Sequence, residues 1–180
     1  MADSNITKRA LASALRELME QTPFEKISVA DICESCEMNR KSFYYHFRDK
    51  YDLVNWIFDS EFLKAASRQK YSEPWELLGD MCGYFYDNRS FYRRALKIKG
   101  QNSFSEHFRE MLRPVIVGCL ETILTEPEFL EFQINFFSDA FIGAFERWLN
   151  DRDCPPPERF VALLRSCIHT PEIDNNGSRH

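Results

Sequence analysis

The chain has 180 residues, enough for one compact domain or two small joined lobes with a buried core. Its 44% hydrophobic and 14% aromatic content excludes a disordered chain. No apolar run approaches the roughly 18 residues that a membrane span needs. The first residues lack the basic and apolar regions of a secretory signal, so we expect a cytoplasmic protein that binds no membrane. The six cysteines form no compact framework, and we expect free, buried thiols.

The net charge of −5 argues by itself against a nucleic-acid partner, because phosphate contacts need Lys and Arg. The charge is unevenly distributed, however. Residues 1–50 hold eight basic and eight acidic side chains, whereas residues 51–180 hold fifteen basic and twenty acidic ones. Within residues 39–50 four basic side chains face a single acidic one, which gives a local charge of +3. Such a patch is sufficient for a local DNA contact on an acidic protein.

The first segments of the chain have helical patterns. Apolar residues recur at steps of three and four over residues 4–21, which predicts an amphipathic helix. Ser28 and Asp31 form a capping-box sequence, which predicts a second helix that ends near Cys36. No segment alternates β-branched residues with a period of two. The sequence therefore predicts an all-α fold.

A third short helix is predicted from the N-cap residue Asn39 to Phe47. Together with the second helix and the tight turn between them, it has the arrangement of a helix-turn-helix. Asp49 caps a longer fourth helix, which we expect to link two lobes. Further helix starts are predicted at Ser72, Ser90, Ser103, Thr125 and Asp153.

The last two predicted helices have unusually wide apolar faces. The segment 126–150 carries apolar residues on more than one stripe, so one side can pack inside while another meets a second copy of the chain. The segment 159–168 adds a final apolar helix. These two helices are the predicted dimer interface, and the polar tail 171–180 is expected to be disordered.

Three motifs carry a family resemblance: Ile-Ser-Val-Ala-Asp-Ile at 27–32, Phe-Tyr-Tyr-His-Phe at 43–47 and Lys-Tyr-Asp-Leu at 50–53. Through them, residues 6–58 resemble the DNA-binding domain of TetR-type bacterial regulators. The rest of the chain matches that family only in its helix count, in Trp148 and in the Pro-Glu at 157–158.

A narrower similarity is to TetR-like regulators of the dihydroxyacetone-kinase activator type. It rests on two sequence segments, Asn-Arg-Lys-Ser-Phe-Tyr-Tyr-His-Phe at 39–47 and Asp-Leu-Val-Asn-Trp-Ile-Phe at 52–58. The similarity does not extend to the regulatory part of the chain, which decides whether a protein belongs to such a subgroup.

The resemblance implies that the third helix lies in the major groove, with its N-terminal residues against base edges. Arg40 is expected to contact guanine and Lys41 a base or a phosphate, the alternative being two solvated surface charges. Phe43 and Phe47 share a helix face and are expected in the core. The full set of implied DNA-binding residues is Ser28, Asn39, Arg40, Lys41, Ser42, Tyr44, Tyr45, His46 and Lys50.

Several of these roles have alternatives. By resemblance, Tyr44 and Tyr45 touch the DNA backbone or base methyls, and His46 and Lys50 bind phosphates. The alternatives are a half-buried Tyr45 and a structural His46. Ser28 is first of all a cap, and its phosphate contact is secondary.

The resemblance further implies a homodimer on a palindromic DNA operator and a small-molecule effector in the C-terminal lobe, which changes the separation of the two recognition helices. We expect residues 1–50 to form the DNA-binding domain and residues 51–170 the regulatory and dimerisation domain. Nine aromatic or soft residues either line an effector pocket or form the core, so no ligand-binding residue is named: Trp75, Cys82, Phe85, Tyr86, Phe91, Tyr92, Phe104, Phe108 and Met111.

The turn of the helix-turn-helix departs from the family pattern at Glu37, where the family usually has glycine. Glycine adopts positive φ at little cost, whereas glutamate there is strained by roughly 1 kcal/mol. The sequence therefore predicts either a turn that is built differently or one that is slightly less stable.

No motif predicts an enzyme, a metal site or a cofactor. The pair Cys33 and Cys36 forms a CxxC, but no second such pair or His cluster accompanies it, and two small apolar helix residues explain it better. Two rival hypotheses remain. One is a helical dimeric interaction or small-molecule-binding protein that no longer reads DNA, and the other is a redox sensor that uses these two thiols.

Overall fold

The computed structural model of the chain describes residues 2–121 and 128–168. All regular structure in these two ranges is helical, as the sequence predicts. None of these helices is both long and apolar enough to cross a membrane. The elements are α1 Ala2–Gln21, a 3-10 turn Phe24–Lys26, α2 Val29–Ser35, α3 Arg40–His46, α4 Lys50–Phe58, a π-helical turn Asp59–Leu63, α5 Lys64–Ala66, α6 Pro74–Asp87, α7 Arg89–Ala95, α8 Phe104–Cys119, α9 Leu130–Asn150 and α10 Pro157–Ile168.

Helices α1 to α4 form the N-terminal lobe, and local capping residues fix where its short helices begin. The Ser28 hydroxyl accepts from the Asp31 amide and the Asp31 carboxylate accepts from the Ser28 amide, so the predicted capping box is present. The Asn39 side chain accepts from the Ser42 amide at 2.8 Å. The Asp49 carboxylate accepts from two amides of the first turn of α4, each at 2.9 Å. Helices α2, α3 and α4 therefore begin where the sequence predicts.

Helix α4 is followed by a π-helical turn where the chain leaves the N-terminal lobe. The sequence predicts an uninterrupted fourth helix, whereas the structure has the π-helical turn Asp59–Leu63 followed by the short α5. Within this turn, the Glu61 carboxylate accepts from the Arg16 guanidinium of α1 at 2.6 Å and from the Tyr84 hydroxyl of α6 at 2.8 Å. The π-helical turn therefore joins the N-terminal lobe to the helices that follow.

An aromatic cluster fills the centre of the C-terminal lobe. The ring of Phe85 on α6 stacks on Phe58 of α4 with centroids 5.8 Å apart and meets Tyr92 of α7 edge-on at 4.5 Å. Because α4 starts in the N-terminal lobe, one hydrophobic core runs through both lobes. The members of this aromatic cluster are all 0% exposed: Phe58, Phe85, Tyr92, Phe104, Phe108 and Phe145.

The later helix starts agree in part with the predictions. Ser103 caps α8 as predicted. The start predicted at Ser90 is wrong by one residue, because α7 follows α6 after a single residue and begins at Arg89. The predictions for Thr125 and for the tail 171–180 fall outside the described residues.

The cysteines are free, and most of them are buried. Cys33, Cys82, Cys119 and Cys154 are buried, Cys36 is half-buried and Cys167 is exposed. The expectation of buried thiols therefore fails for Cys167, which lies on the outer side of α10.

Candidate nucleic-acid interface

Helix α3 is anchored by two phenylalanines on its inner side. Phe43 is 0% exposed and Phe47 3%, and their ring centroids lie 5.8 Å apart. The Lys8 ammonium of α1 lies 5.7 Å from the centroid of the Phe47 ring and adds a cation–π contact. The prediction that Phe43 and Phe47 belong to the core is confirmed.

The outer side of α3 presents two cations and two tyrosines to solvent. Arg40 and Lys41 are exposed in its first turn. Tyr44 is 58% exposed and Tyr45 82%, so the alternative of a half-buried Tyr45 is wrong. His46 is half-buried and meets the Tyr45 ring edge-on, with centroids 4.9 Å apart. Its phosphate contact stays a prediction, as does its structural alternative.

Asn39 and Ser42 are hydrogen-bonded to each other. The Asn39 Oδ1 accepts from the Ser42 amide at 2.8 Å and from the Ser42 hydroxyl at 3.2 Å. These bonds hold the N-terminus of α3 in place beside Arg40. The DNA contacts expected of both residues stay predictions.

The amide and the hydroxyl of Ser28 are both engaged in the hydrogen bonds of its capping box. Its hydroxyl donates to the Asp31 carboxylate at 2.7 Å, in addition to the two capping bonds. The hydrogen bonds from the Ser28 amide and hydroxyl lower the pKa of Asp31, because they stabilise the charged carboxylate. The role as a cap is confirmed, and the secondary phosphate contact stays a prediction.

Lys50 has a structural role that the sequence did not predict. Its ammonium donates to the carbonyls of Phe24 at 2.6 Å, Ile27 at 2.7 Å and Glu25 at 3.4 Å. Burial lowers the pKa of this ammonium, because it disfavours the charged form. An ammonium has three N–H donors, and all three have carbonyl partners here. The phosphate contact stays a prediction, and it requires Lys50 to exchange one of these bonds.

Arg48 extends the basic surface and is absent from the set predicted from the sequence. It lies two residues beyond the end of α3, after Phe47, and its side chain is 67% exposed, with its Nε 3.4 Å from the Asp49 carboxylate. The charge count over residues 39–50 includes Arg48 and is the sequence feature that identifies it. The exposed side chains of α3 together with Arg48, here called the recognition face, are Arg40, Lys41, Tyr44, Tyr45 and Arg48.

The turn between α2 and α3 has the geometry of a glycine turn, with Glu37 at the position of the glycine. Glu37 has a φ of 54°. The Met38 amide donates to the Cys33 carbonyl at 2.8 Å and the Glu37 amide to the Glu34 carbonyl at 3.2 Å, which is a Schellman motif. The alternative of a turn that is built differently is wrong.

Replacing Glu37 with glycine is expected to raise the free energy of unfolding by about 1 kcal/mol, because the left-handed conformation strains a residue that has a Cβ atom. Urea denaturation followed by circular dichroism measures this change. Glu34→Gly is the matched control, since Glu34 lies in regular helix and its replacement lowers the free energy of unfolding by about 1 kcal/mol. A loss of stability in both variants would contradict the assignment of strain to Glu37.

The CxxC pair lies at the end of α2, behind this turn. Cys33 is 2% exposed, and the Cys36 thiol donates to the Ile32 carbonyl at 3.2 Å. Burial raises the pKa of both thiols, which lowers the fraction of reactive thiolate. This environment favours two structural thiols over the redox-sensor hypothesis.

The structure separates the nine residues for which the sequence left open both a role in an effector pocket and a role in the core. Tyr86 is 38% exposed and stacks on Trp148, and Met111 lines an open cleft. The other seven are buried core residues: Trp75, Cys82, Phe85, Phe91, Tyr92, Phe104 and Phe108.

Comparison with known proteins agrees with this architecture. The family model described as bacterial regulatory proteins of the tetR family matches residues 11–57. A second model, described as a transcriptional regulator C-terminal region, matches residues 73–170. The chain belongs to the TetR family of transcriptional regulators. As a member of this family it carries an N-terminal helix-turn-helix, which contains the recognition face, and a helical C-terminal lobe.

The relatives of this TetR-family chain include a named activator. The HTH-type dhaKLM operon transcriptional activator DhaS of Lactococcus lactis is 32% identical over 110 residues. That match covers 60% of this chain and 57% of the relative, so the chain spans just over half of that protein's length.

Two solved structures have the same fold. A TetR transcriptional regulator from Streptococcus agalactiae superimposes with a TM-score of 0.74 at 21% identity, covering 94% of this chain and 97% of the other. A dihydroxyacetone kinase operon activator DhaS superimposes with a TM-score of 0.64 at 20% identity, covering 91% and 96%. At these identities the likeness concerns the fold alone.

Proposed function

We propose that this TetR-family regulator binds a palindromic DNA operator as a homodimer and that a small-molecule effector or a partner in its C-terminal lobe controls the binding. Residues 1–50 form the DNA-binding domain and residues 51–170 the regulatory and dimerisation domain. Helix α3 lies in the major groove, with Arg40 and Lys41 at its N-terminal end.

The recognition face is the observation that carries this proposal. Its tyrosines and two of its three cations lie on the outer side of one short helix, which is fixed from the inner side by Phe43 and Phe47. Arg40 suits a bidentate contact to guanine, and exposed tyrosine rings suit base methyls and the sugar-phosphate backbone. A helix held rigidly from behind presents these groups without a large loss of entropy on binding.

The dimer is supported by the outer face of α9. Phe132 is 73% exposed and Phe136 58%, and their rings stack with centroids 6.4 Å apart. Ala140 continues the same face, and Leu163 on the adjacent α10 is 50% exposed. Large apolar side chains rarely cluster on the surface of a monomer, so these two helices suit the interface between two copies.

A salt-dependent anisotropy titration tests the function. The labelled probe is the DNA that flanks the chain's own gene, and the competitor is a scrambled duplex of equal length. Besides Arg40, which is assigned to a base, each recognition face has two exposed cations for phosphates, and these predict that the affinity of the dimer falls about a hundred-fold between roughly 50 and 200 mM salt. Equal, weak binding to both duplexes would reject the regulator.

That negative outcome would favour the rival hypothesis of a dimeric interaction or small-molecule-binding protein that no longer reads DNA. Its support is the acidic total charge and the strained Glu37. Glu37 nonetheless retains the turn geometry that orients α3, so the strain does not displace the recognition face.

Arg40→Ala is expected to weaken operator binding by roughly 1–3 kcal/mol and to relax base preference at one position in each half-site, because it removes a base contact. Competition between operators that carry single base changes measures both effects. Arg68→Ala is the matched control, since this exposed arginine follows α5, outside the recognition face. Unchanged preference in Arg40→Ala would show that Arg40 does not read a base.

A further inference from the structure

Helix α7 and the loop that follows it carry five cations and no carboxylate. Outside residues 88–105 the chain has eighteen basic and twenty-eight acidic side chains. In the part of the chain that the structure describes, none of the five cations forms an ion pair. The segment is therefore an uncompensated positive patch on an otherwise acidic protein. Its cations are Arg89, Arg93, Arg94, Lys97 and Lys99.

The hydrogen bonds that these cations make leave their charges in place. The Arg94 guanidinium donates to the Met19 carbonyl of α1, and the Lys97 ammonium donates to the Asn150 Oδ1 at 2.7 Å. Carbonyl and amide oxygens have no net charge, so these bonds fix the segment without neutralising it. Lys99 is exposed and has no hydrogen-bond or ion-pair partner among the described residues.

The loop 96–102, here called the basic loop, is anchored by alternate residues. Leu96 is 0% exposed and Ile98 2%, whereas Lys97 and Lys99 between and beyond them are exposed. Two buried side chains thus hold the loop while both ammonium groups reach solvent. A loop that is fixed in this way loses little entropy when its lysines bind a partner.

The basic loop adjoins the DNA-binding lobe at two places. The Asn55 side-chain amide of α4 donates to the Asn102 carbonyl at 3.2 Å. Asn102 and Arg48 of the recognition face line the same cavity, which has a volume of about 500 Å³. At the other place, Lys97 lines a cavity of about 270 Å³ with Phe24, which lies in the segment before α2. The positive surface therefore continues from the recognition face onto the C-terminal lobe.

Three carboxylates lie close to the basic loop and do not cancel its charge. Glu25 lines the smaller cavity, and Glu106 and Glu110 line the larger one. The Glu106 carboxylate accepts from the Asn102 amide at 2.9 Å. Within the described ranges none of the three forms an ion pair with a lysine of the loop. Both ammonium groups are therefore available to an external anion.

We propose that Lys97 and Lys99 bind DNA phosphates and extend the DNA interface from the recognition face onto the C-terminal lobe. The inference rests on the proposed function, to which it adds a second contact surface. A DNA duplex carries a phosphate charge about every 1.7 Å along its axis, so it can meet the recognition face and the adjoining lysines together. Lysine contacts a phosphate as a point charge and reads no base, so the basic loop raises affinity and leaves base preference unchanged.

Anisotropy titrations at several salt concentrations test this surface in the full chain. Replacing Lys97 and Lys99 together with alanine removes four phosphate contacts from a dimer, which lowers the slope of log affinity against log salt by about 3 to 4. The loss of affinity between roughly 50 and 200 mM salt is then about a hundred-fold smaller than for the unmodified chain. This contribution adds to the one expected from the two recognition faces. Preference among operators with single base changes is expected to stay the same.

Two variants serve as controls. Arg68→Ala with Lys70→Ala removes the same charge from exposed residues beyond α5, and the slope of the unmodified chain is expected to persist. Lys97→Arg with Lys99→Arg keeps both charges and is expected to restore the slope. Since both lysine side chains are exposed, circular dichroism should show the same fold in all variants.

An unchanged slope in the double alanine variant would overturn the proposal and favour an acidic protein as the partner of this surface. An equal decrease in the control that lacks Arg68 and Lys70 would also overturn it, because overall charge would then explain the effect. The scrambled duplex separates these outcomes from failure of the proposed function. Phosphate contacts do not depend on sequence, so equal affinity for both duplexes rejects the regulator while the slopes still report on the lysines. A chain that binds neither duplex would overturn both proposals.

Discussion

Replacing Phe132 and Phe136 together with aspartate is expected to convert the proposed dimer into a monomer and to weaken operator binding roughly 100-fold or more. The two rings are among the most exposed large apolar side chains in the described part of the chain. A carboxylate in the middle of an apolar interface is buried without a partner, which is strongly unfavourable. A monomer then engages one half-site at a time and loses the gain from binding two linked sites.

Light scattering at micromolar concentration measures the mass, and anisotropy measures the DNA affinity. Because both side chains are exposed in the single chain, thermal unfolding should show a folded monomer. Ile6→Asp is the matched control for mass, since Ile6 is 64% exposed but lies on α1. A double variant that remains dimeric, or a monomer that keeps full affinity, would place the interface or the source of affinity elsewhere.

The helix-turn-helix was predictable because its boundaries depend on nearby residues. Ser28, Asn39 and Asp49 each cap a helix through amides two or three residues further along the chain. The spacing of Phe43 and Phe47 likewise places both on one face of a single helix. Local chemistry of this kind is readable in a sequence without knowledge of the tertiary structure.

The role of Lys50 was not predictable, because its partners are distant in sequence. The carbonyls of Phe24 and Ile27 lie 26 and 23 residues before it. The same holds for the contact between Arg16 and Glu61, which are 45 residues apart. Nothing in the local pattern around either residue indicates these partners, and they appear only when the helices pack.

The division between core and pocket depends on packing for the same reason. Phe91 and Met111 each have one aromatic or apolar neighbour among polar and charged residues in the sequence, yet Phe91 is 4% exposed and Met111 lines the open cleft. Helical periodicity identifies the inner side of a helix, but whether that side meets another ring or open space depends on the neighbouring helices.

Phe85→Ala is expected to lower the free energy of unfolding by about 3–5 kcal/mol, because it leaves a cavity among rings that cannot close around it. Phe85 lies at the centre of the aromatic cluster and stacks on Phe58. Since Phe58 belongs to α4, which also carries Lys50, the loss should reach the N-terminal lobe. We therefore expect one cooperative transition at lower denaturant concentration, rather than unfolding of the C-terminal lobe alone.

Urea titrations followed by circular dichroism and by tryptophan fluorescence measure this effect, because Trp56 lies on α4 and Trp148 on α9. Coincident transitions from the two signals indicate that both lobes unfold together. Tyr45→Ala is the control, since a tyrosine that is 82% exposed contributes within about 0.5 kcal/mol to stability. Separate transitions, with the N-terminal lobe unaffected by Phe85→Ala, would show that α4 does not join the two cores.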